Sequence, residues 1–275
     1  ATMSTDLLSS ELNPKQFRWI SEQLYQICGI KLQPGKEILV RSRLSKRLRL
    51  LSLDGFEDYL SFLREDKSGK ELAMMVDMLT TNKTSFFRES QHFDYLRQHL
   101  LPKLRASHQP IRLWSAGCSS GEEPYTLGII LREELSDGYD ARILATDISS
   151  EMLSKARNAI YGEETLADLP PSLLRKYFSI LSPNSSKTYR VNSDVRALVH
   201  LARLNLMEPW PMKGPFNAIF CRNVMIYFDK PTQERLVNRY AQLLAPGGLL
   251  FVGHSESLTS ISHSLRYIQP AVYMK

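Results

Sequence analysis

The stretch from Ile111 to Leu131 limits what this chain can fold into more than any other. Ile111, Leu113 and Trp114 are apolar, strand-forming residues, and every residue from Gly117 to Gly121 is small. Pro124 suits the first turn of a helix, and Glu122 and Glu123 precede it, where the helix dipole favours negative charge. This pattern predicts a buried strand over 111–116, a tight turn, and a helix over 124–135. A second apolar run, 141–146, ends in Asp147, about thirty residues after Gly117. A small-residue turn after one strand, with an acid closing the next, is the mononucleotide-binding half of a doubly wound α/β sheet. The acid is placed for ribose hydroxyls.

The chemistry of the turn narrows the ligand. It is not G-x-G-x-x-G, and Glu122 and Glu123 stand where a pyrophosphate would need neutral N–H groups. A ligand with adenosine and positive charge but no phosphate fits better. S-adenosyl-L-methionine is such a ligand, because its sulfonium and its ammonium both favour nearby carboxylates. The alternative is a βα turn that binds nothing.

With 275 residues, 43% of them hydrophobic, the chain has ample material for a core and length for one or two domains. Its net charge of +6 points to an acidic partner. Cys28, Cys118 and Cys221 are odd in number and lack C-x-x-C spacing, so neither a disulfide framework nor a metal site is expected. No apolar run approaches the roughly 20 residues of a membrane span, and the first residues lack a basic segment followed by an apolar one. A cytoplasmic monomer is the expectation.

Residues 1–79 read as a helical domain. Asn13-Pro14 opens a helix with Phe17, Ile20, Leu24 and Ile27 on one face, closed by Cys28-Gly29. The next helix carries the stripe Val40, Leu44, Leu48 and Leu51. Around that stripe stand Arg41, Arg43, Lys46, Arg47 and Arg49 with no acid among them. Five uncompensated cations would be relieved by a negative partner; a solvated face is the plainer reading. Two shorter helices follow, on Phe56, Tyr59, Leu60 and Leu63, and on Leu72, Met75, Val76 and Leu79. Residues 80–91 are a hydroxyl-rich linker with a Phe86-Phe87 anchor and Arg88, and they suit the lip of a cleft.

The remainder, 92–275, is the α/β domain. A helix on His92, Phe93, Leu96 and Leu100 leads through a basic connection, Pro102 to Pro110, into the sheet. Helices are expected over 149–158 and 172–178. Segments 189–191 and 197–201 flank the turn at Pro183 to Ser186 and read as an antiparallel hairpin, giving an inserted β-subdomain at about 179–202. Leu204 to Leu206 closes the third main strand, and 216–221 is the fourth. Arg222 to Phe228 then falls at the carboxyl edge, where open α/β sheets bind ligands. Helix 231–244, strand 249–252 and a final hairpin over 265–274 complete the sheet.

Several segments together resemble the chemotaxis-receptor glutamate O-methyltransferase (CheR-type) family. They are Thr80-Thr81-Asn82 with Thr84 and Phe86-Phe87-Arg88, Trp114-Ser115-Ala116 with Gly121 to Tyr125, Thr146-Asp147-Ile148, Phe220 to Asp229, and Gly253-His254-Ser255-Glu256. They occur in the family's order, and the resemblance runs from about residue 11 to the end. It implies a helical N-terminal domain, an S-adenosyl-L-methionine-binding α/β domain with an inserted β-subdomain, and methyl transfer to chemoreceptor glutamates with S-adenosyl-L-homocysteine as the product. By matching position, Asn82, Thr84 and Arg88 line the cofactor cleft. Ala116 and Gly117 form its turn, Glu123 meets the methionine part, and Asp147 meets the ribose. Asn205 and Leu206 flank the adenine, and Arg222 and Asn223 close the pocket. Arg88 and Tyr227 stand nearest the reacting methyl. The implied partner is the cytoplasmic helical bundle of a chemoreceptor, with Arg41, Arg43, Lys46, Arg47 and Arg49 as its dock. A receptor C-terminal tail at the β-subdomain is the second implied contact.

Two rival classes fit less well. A nucleic-acid amino-methylating enzyme needs an Asn/Asp-Pro-Pro-aromatic segment after strand four, where this chain has Cys221-Arg222-Asn223-Val224, and the basic helix lacks interleaved aromatics for base stacking. A non-catalytic module would have no use for Arg88, Glu123, Asp147 and Tyr227 together.

Overall fold

The structure, a computed structural model, describes residues 11–80, 84–182 and 186–275, and of Tyr227 only the backbone. Asn82 and most of the Pro183 to Ser186 turn lie outside the described residues. The chain forms two compact units, Ala1–Asn82 with Tyr227–Asp229, and Lys83–Ile226 with Lys230–Lys275.

The first unit contains four helices among the described residues: α1 (Pro14–Cys28), α2 (Glu37–Leu50), α3 (Phe56–Glu65) and α4 (Lys70–Leu79). Asn13 caps α1 in a reciprocal box with Gln16, and Gly29 ends it, as the sequence predicts. Ile20, Leu24, Val40, Leu44, Tyr59 and Met75 are wholly buried in the core. The five cations of α2 are not all uncompensated. Arg47 makes a two-pronged bond to Glu71 of α4, with Nε and Nη2 donating to the two carboxylate oxygens at 2.8 and 2.7 Å. The Tyr59 hydroxyl donates to the same carboxylate. Arg43 donates to the Leu79 carbonyl at 3.0 Å. Glu71 comes 24 residues after Arg47, so helix periodicity around α2 could not reveal it. Phe228 bridges to Ile30, and the Tyr25 hydroxyl donates to Asp229 at 2.7 Å.

In the second unit α5 (Gln91–Tyr95) passes through a π-helical turn, Leu96–Leu100, into α6 (Leu101–Ala106). The helix thus runs past Pro102, where a loop was expected. Proline cannot donate to the carbonyl four residues back, and a wider turn just before it lets the helix continue. The main sheet has seven strands: β1 (Ile111–Ala116), β2 (Ala141–Asp147), β6 (Val199–Arg203), β7 (Phe216–Cys221), β8 (Leu244–Val252), β9 (Arg266–Gln269) and β10 (Val272–Met274). Their order is β6-β2-β1-β7-β8-β10-β9, parallel except where β10 runs antiparallel to β8 and β9. Helices α7 (Glu122–Glu134), α8 (Ser150–Asn158) and α11 (Lys230–Leu243) connect the strands. Leu113, Ile143, Phe220 and Phe251 of the strands share one core cluster with Leu127, Ile130 and Leu131 of α7. Trp114 meets Trp210, Phe216 and Tyr240.

The inserted sheet has different boundaries from those the sequence suggests. It joins β3 (Ile160–Gly162), β5 (Thr188–Val191) and β4 (Phe178–Ser182) in the order β3-β5-β4. Short helices α9 (Pro171–Tyr177) and α10 (Ser193–Arg196) lie beside these strands in the chain. The segment expected as the second hairpin arm is instead β6, paired parallel with β2 from Ile143↔Val199 to Asp147↔Arg203. The inserted β-subdomain therefore starts near 160 and ends near 191, not at about 179–202. An apolar run such as Leu198 to Leu201 can join either sheet, and its partner is fixed by long-range pairing.

Candidate functional site

Four neighbouring strands end on one edge of the second unit. In sheet order, Asn205 and Leu206 come after β6, Asp147 ends β2, Ala116 ends β1 with Gly117 next, and Arg222 and Asn223 follow β7. The chain winds outward from β1 to β2 and β6, then returns to β7 on the other side of β1. That reversal is the topological switch point, where open α/β sheets hold ligands.

The turn after β1 is stapled to β2. Gly117 and Cys118 both donate N–H bonds to the Thr146 carbonyl, at 2.9 and 2.8 Å, and Trp114 Nε1 donates to the Thr146 hydroxyl. Gly117 has φ +81°, and a Cβ there would meet Val224 Cγ2 at 2.7 Å, so a side chain is excluded twice over. Asp147 helps to build the turn. Its Oδ2 accepts the Ser119 N–H at 2.8 Å and its Oδ1 the Ser149 N–H at 2.9 Å.

The two acids of the turn diverge. Glu122 is buried against Ser120, whose hydroxyl donates to it at 2.6 Å, and burial pushes its carboxyl above the usual range. Glu123 accepts the Ser115 hydroxyl at 2.6 Å and pairs with Arg222 Nε at 2.8 Å. Its negative charge is therefore balanced by an arginine, which the sequence-based case for a cationic ligand did not include.

Arg222 is the hub of the site, with its side chain 4% exposed. Nη1 donates to the Arg88 carbonyl at 2.6 Å and lies 3.3 Å from His92 Nδ1 and 3.7 Å from a Glu89 oxygen. The guanidinium also stands over the Phe93 ring, 4.8 Å from its centre. Glu89, His92 and His254 bring three donor atoms within 4.8 Å of one another. The cation facing Glu89 and His92 is the guanidinium itself. Burial first, then the Arg222 and His254 charges, push the His92 pKa down to about 3, so its ring stays neutral.

Arg88 sits on a turn of unusual backbone. Phe87 and Glu89 on either side both adopt left-handed conformations, φ 56° and 54°. Phe86 anchors this turn, wholly buried and edge-on to Tyr161 and Phe178. The Phe87 N–H donates to Thr126 Oγ1 at 3.2 Å. Thr84, two residues upstream of Phe86, is half-buried. Asn205 is buried and accepts the Met207 N–H. The Leu206 carbonyl accepts from Trp210 Nε1 and from Arg239. Tyr227, in the 3-10 turn Met225–Tyr227, groups with the helical unit. Sequence reasoning gave no role at the site to Ser119, Glu89 or His92, and Ser115 entered only as one letter of the Trp114-Ser115-Ala116 segment. Glu256 was visible only as one letter of the Gly253 to Glu256 segment.

Family models match nearly the whole chain: the all-alpha domain of CheR methyltransferases over residues 15–80, and their SAM-binding domain over residues 82–274. The chain belongs to the CheR methyltransferase family. It is 44% identical over 263 residues to chemotaxis protein methyltransferase 2 of Pseudomonas aeruginosa, a match covering 94% of this chain and 92% of that one. It is 40% identical over 264 residues to the chemotaxis protein methyltransferase of Escherichia coli, covering 95% and 91%. It is also 40% identical over 261 residues to that of Borreliella burgdorferi, covering 92% and 91%.

The donor set fits S-adenosylmethionine, the ligand of the matched CheR domain. An amino-acid zwitterion carries both signs of charge, and the buried Glu123–Arg222 pair offers both. Asp147, ending the strand beside β1, is an acceptor of the kind a ribose hydroxyl needs. Among the described residues no helix is long and apolar enough to cross a membrane.

Proposed function

We propose that this chain transfers a methyl group from S-adenosyl-L-methionine to glutamate side-chain carboxylates of bacterial chemoreceptors, leaving glutamate methyl esters and S-adenosyl-L-homocysteine. The observation that carries this reading is the CheR family match over both units, coupled with the gathering of the expected residues at four adjacent strand ends. The test is transfer of labelled methyl to a panel of receptor signalling domains, with and without their C-terminal tails. Base-labile label on glutamates is expected. Label absent from all of them, or stable to base, overturns the reading.

The acceptor carboxylate, with a free pKa of about 4.3, is ionised at neutral pH, so no general base is required. The donor supplies an activated methyl on a sulfonium. The chain has to align the two groups and exclude water. In our reading Arg88 orients the incoming carboxylate through one oxygen, since a two-pronged grip would quench the nucleophile. Tyr227 positions the same group. Asp147 accepts the ribose hydroxyls, and Asn205 and Leu206 flank the adenine. Glu123 and Arg222 meet the methionine end, Ala116 and Gly117 supply close-approaching backbone, and Asn82, Thr84 and Asn223 complete the walls. Replacing Asp147 by Asn is expected to raise the donor Kd roughly ten- to hundred-fold, matching the ~1.5–3 kcal/mol of a hydrogen bond to a charged group. Calorimetry checks this, and an unchanged Kd removes Asp147 from the ribose.

The receptor's helical bundle is the partner, and α2 is the docking element. Because Arg43 and Arg47 are engaged within the helical unit, the docking role narrows to Arg41, Lys46 and Arg49. An Arg41→Glu/Lys46→Glu variant is expected to slow receptor methylation roughly tenfold at low salt while keeping the donor Kd. Equal rates at low salt, where screening is weakest, would remove α2 from the interface. For a receptor tail, β4 is the favoured strand. It is an edge of the inserted sheet, and Ile180 and Leu181 are 57% and 50% exposed there, which suits pairing with an added strand.

A further inference from the structure

Glu256 closes the turn after β8 and has no task in the site so far. It is 7% exposed. Its Oε1 accepts N–H bonds from Asn223 and from Gly253, both at 2.7 Å, and its Oε2 accepts one from Ile226 at 2.9 Å. The Met225 backbone also contributes to its surroundings. One carboxylate thus gathers donors from two separate segments, its own turn and the loop after β7. The packing between those segments is close. A Cβ on Gly253 would meet Asn223 Oδ1 at 2.5 Å and Glu256 Oε1 at 2.8 Å, so a side chain there would displace one of the two. Asn223 itself is left-handed, with φ 63°. Two N–H groups of the loop after β7, those of Asn223 and Ile226, converge on Glu256.

A carboxylate is costly to bury, and an apolar side chain would fill the same space more cheaply. What an apolar side chain cannot do is hold N–H groups of Asn223 and Ile226 from the loop, together with that of Gly253 from its own turn, in one arrangement. Burial raises the Glu256 pKa, and the N–H bonds lower it, with burial the larger effect.

We propose that Glu256 is a positioning residue of the methyl-transfer site: its carboxylate fixes the Asn223–Ile226 loop, and so sets Asn223 against the donor and Tyr227, the next residue along the chain, for reaction. This rests on the roles given above to Asn223 and Tyr227. The carboxylate acts on backbone N–H groups, so charge alone is not enough and both oxygens matter. Glutamine keeps one oxygen and turns an NH2 group toward N–H donors on the other side.

The test compares wild type with Glu256→Gln and with the harsher Glu256→Ala, measuring thermal unfolding, kcat and donor KM on a receptor domain, and backbone amide exchange. For Glu256→Gln we expect a folded protein and a kcat reduced about ten- to hundred-fold, the scale of a misplacement near 1 Å. The donor KM should rise by less than that. Exchange should quicken in the peptide spanning residues 222–227, while peptides from β1 and β2 keep their protection. Glu256→Ala should show the same changes enlarged. Wild-type turnover per folded molecule in Glu256→Gln, or unchanged exchange at 222–227, overturns the proposal. A Tyr227→Phe enzyme is measured alongside. If it keeps wild-type kcat while Glu256→Gln loses activity and protection, the role of Tyr227 fails and the hold of Glu256 on the loop stands.

Discussion

An Arg222→Met variant is expected to lose about 3–5 kcal/mol of folding stability, the cost of leaving one member of a buried ion pair without its partner. Methionine keeps much of the aliphatic bulk, so the loss reports the guanidinium rather than a cavity. Without it, Glu123 keeps only the Ser115 hydroxyl among the bonds described, and the Arg88 carbonyl loses its donor at 2.6 Å. A Glu89 oxygen, buried and without a hydrogen-bond partner, loses the cation 3.7 Å away. Domains are stable by only about 5–15 kcal/mol in total, so the urea midpoint should fall visibly. Glu123→Gln tests the cause. If Arg222 chiefly balances Glu123, the double variant should be less destabilised than the two single losses predict, with a coupling within the ~0.5–3 kcal/mol seen for residues in contact. Strict additivity would show that the pair is not the reason Arg222 is needed. Arg222→Lys should recover little, because an ammonium cannot address Glu123 and the Arg88 carbonyl from one planar fork.

Legibility followed the range of the interactions. The ends of α1, the strands β1, β2 and β7, and the acid closing β2 were readable because caps, apolar runs and turn residues are local signals. The same reading put 197–201 in the inserted hairpin, since the residues themselves do not say that Val199 pairs with Ile143 rather than with a neighbouring arm. It counted Arg47 as uncompensated because Glu71 belongs to another helix. At the site, the strand ends were predictable from topology: β6, β2, β1 and β7, which Asn205, Asp147, Gly117 and Arg222 end or follow, are neighbours in the sheet. What the sequence hid was how those residues engage one another. Glu123 was assigned to a ligand on the strength of its charge, and that charge is met by a residue 99 positions further on. Glu256 gathers N–H groups 30 and 33 positions upstream, a relation with no periodicity to betray it.

Arg88→Ala is expected to lower methyl transfer to the receptor about 10²–10³-fold, the scale for removing one preorganised donor from a reacting centre, while the donor Kd changes by no more than about threefold. The backbone at residue 88 is held by groups other than its own side chain: Phe86 is buried on one side, the Phe87 N–H is bonded to Thr126, and the Arg88 carbonyl accepts from Arg222. Left-handed residues on both sides carry a cost of about 1–3 kcal/mol each, and such backbone persists only where its surroundings over-determine it. Truncating the side chain keeps these backbone contacts and removes the cation that would meet an incoming carboxylate. A kcat loss with donor affinity preserved separates orientation of the acceptor from binding of the donor. If calorimetry and turnover fell together, Arg88 would belong to the donor's site and the acceptor would need another cation. Arg88→Lys sharpens the distinction. A single orienting contact needs one N–H and a positive charge, which lysine retains, so partial recovery is expected. Recovery no better than alanine would mean that the planar fork, and hence a two-pronged grip, is what the reaction uses.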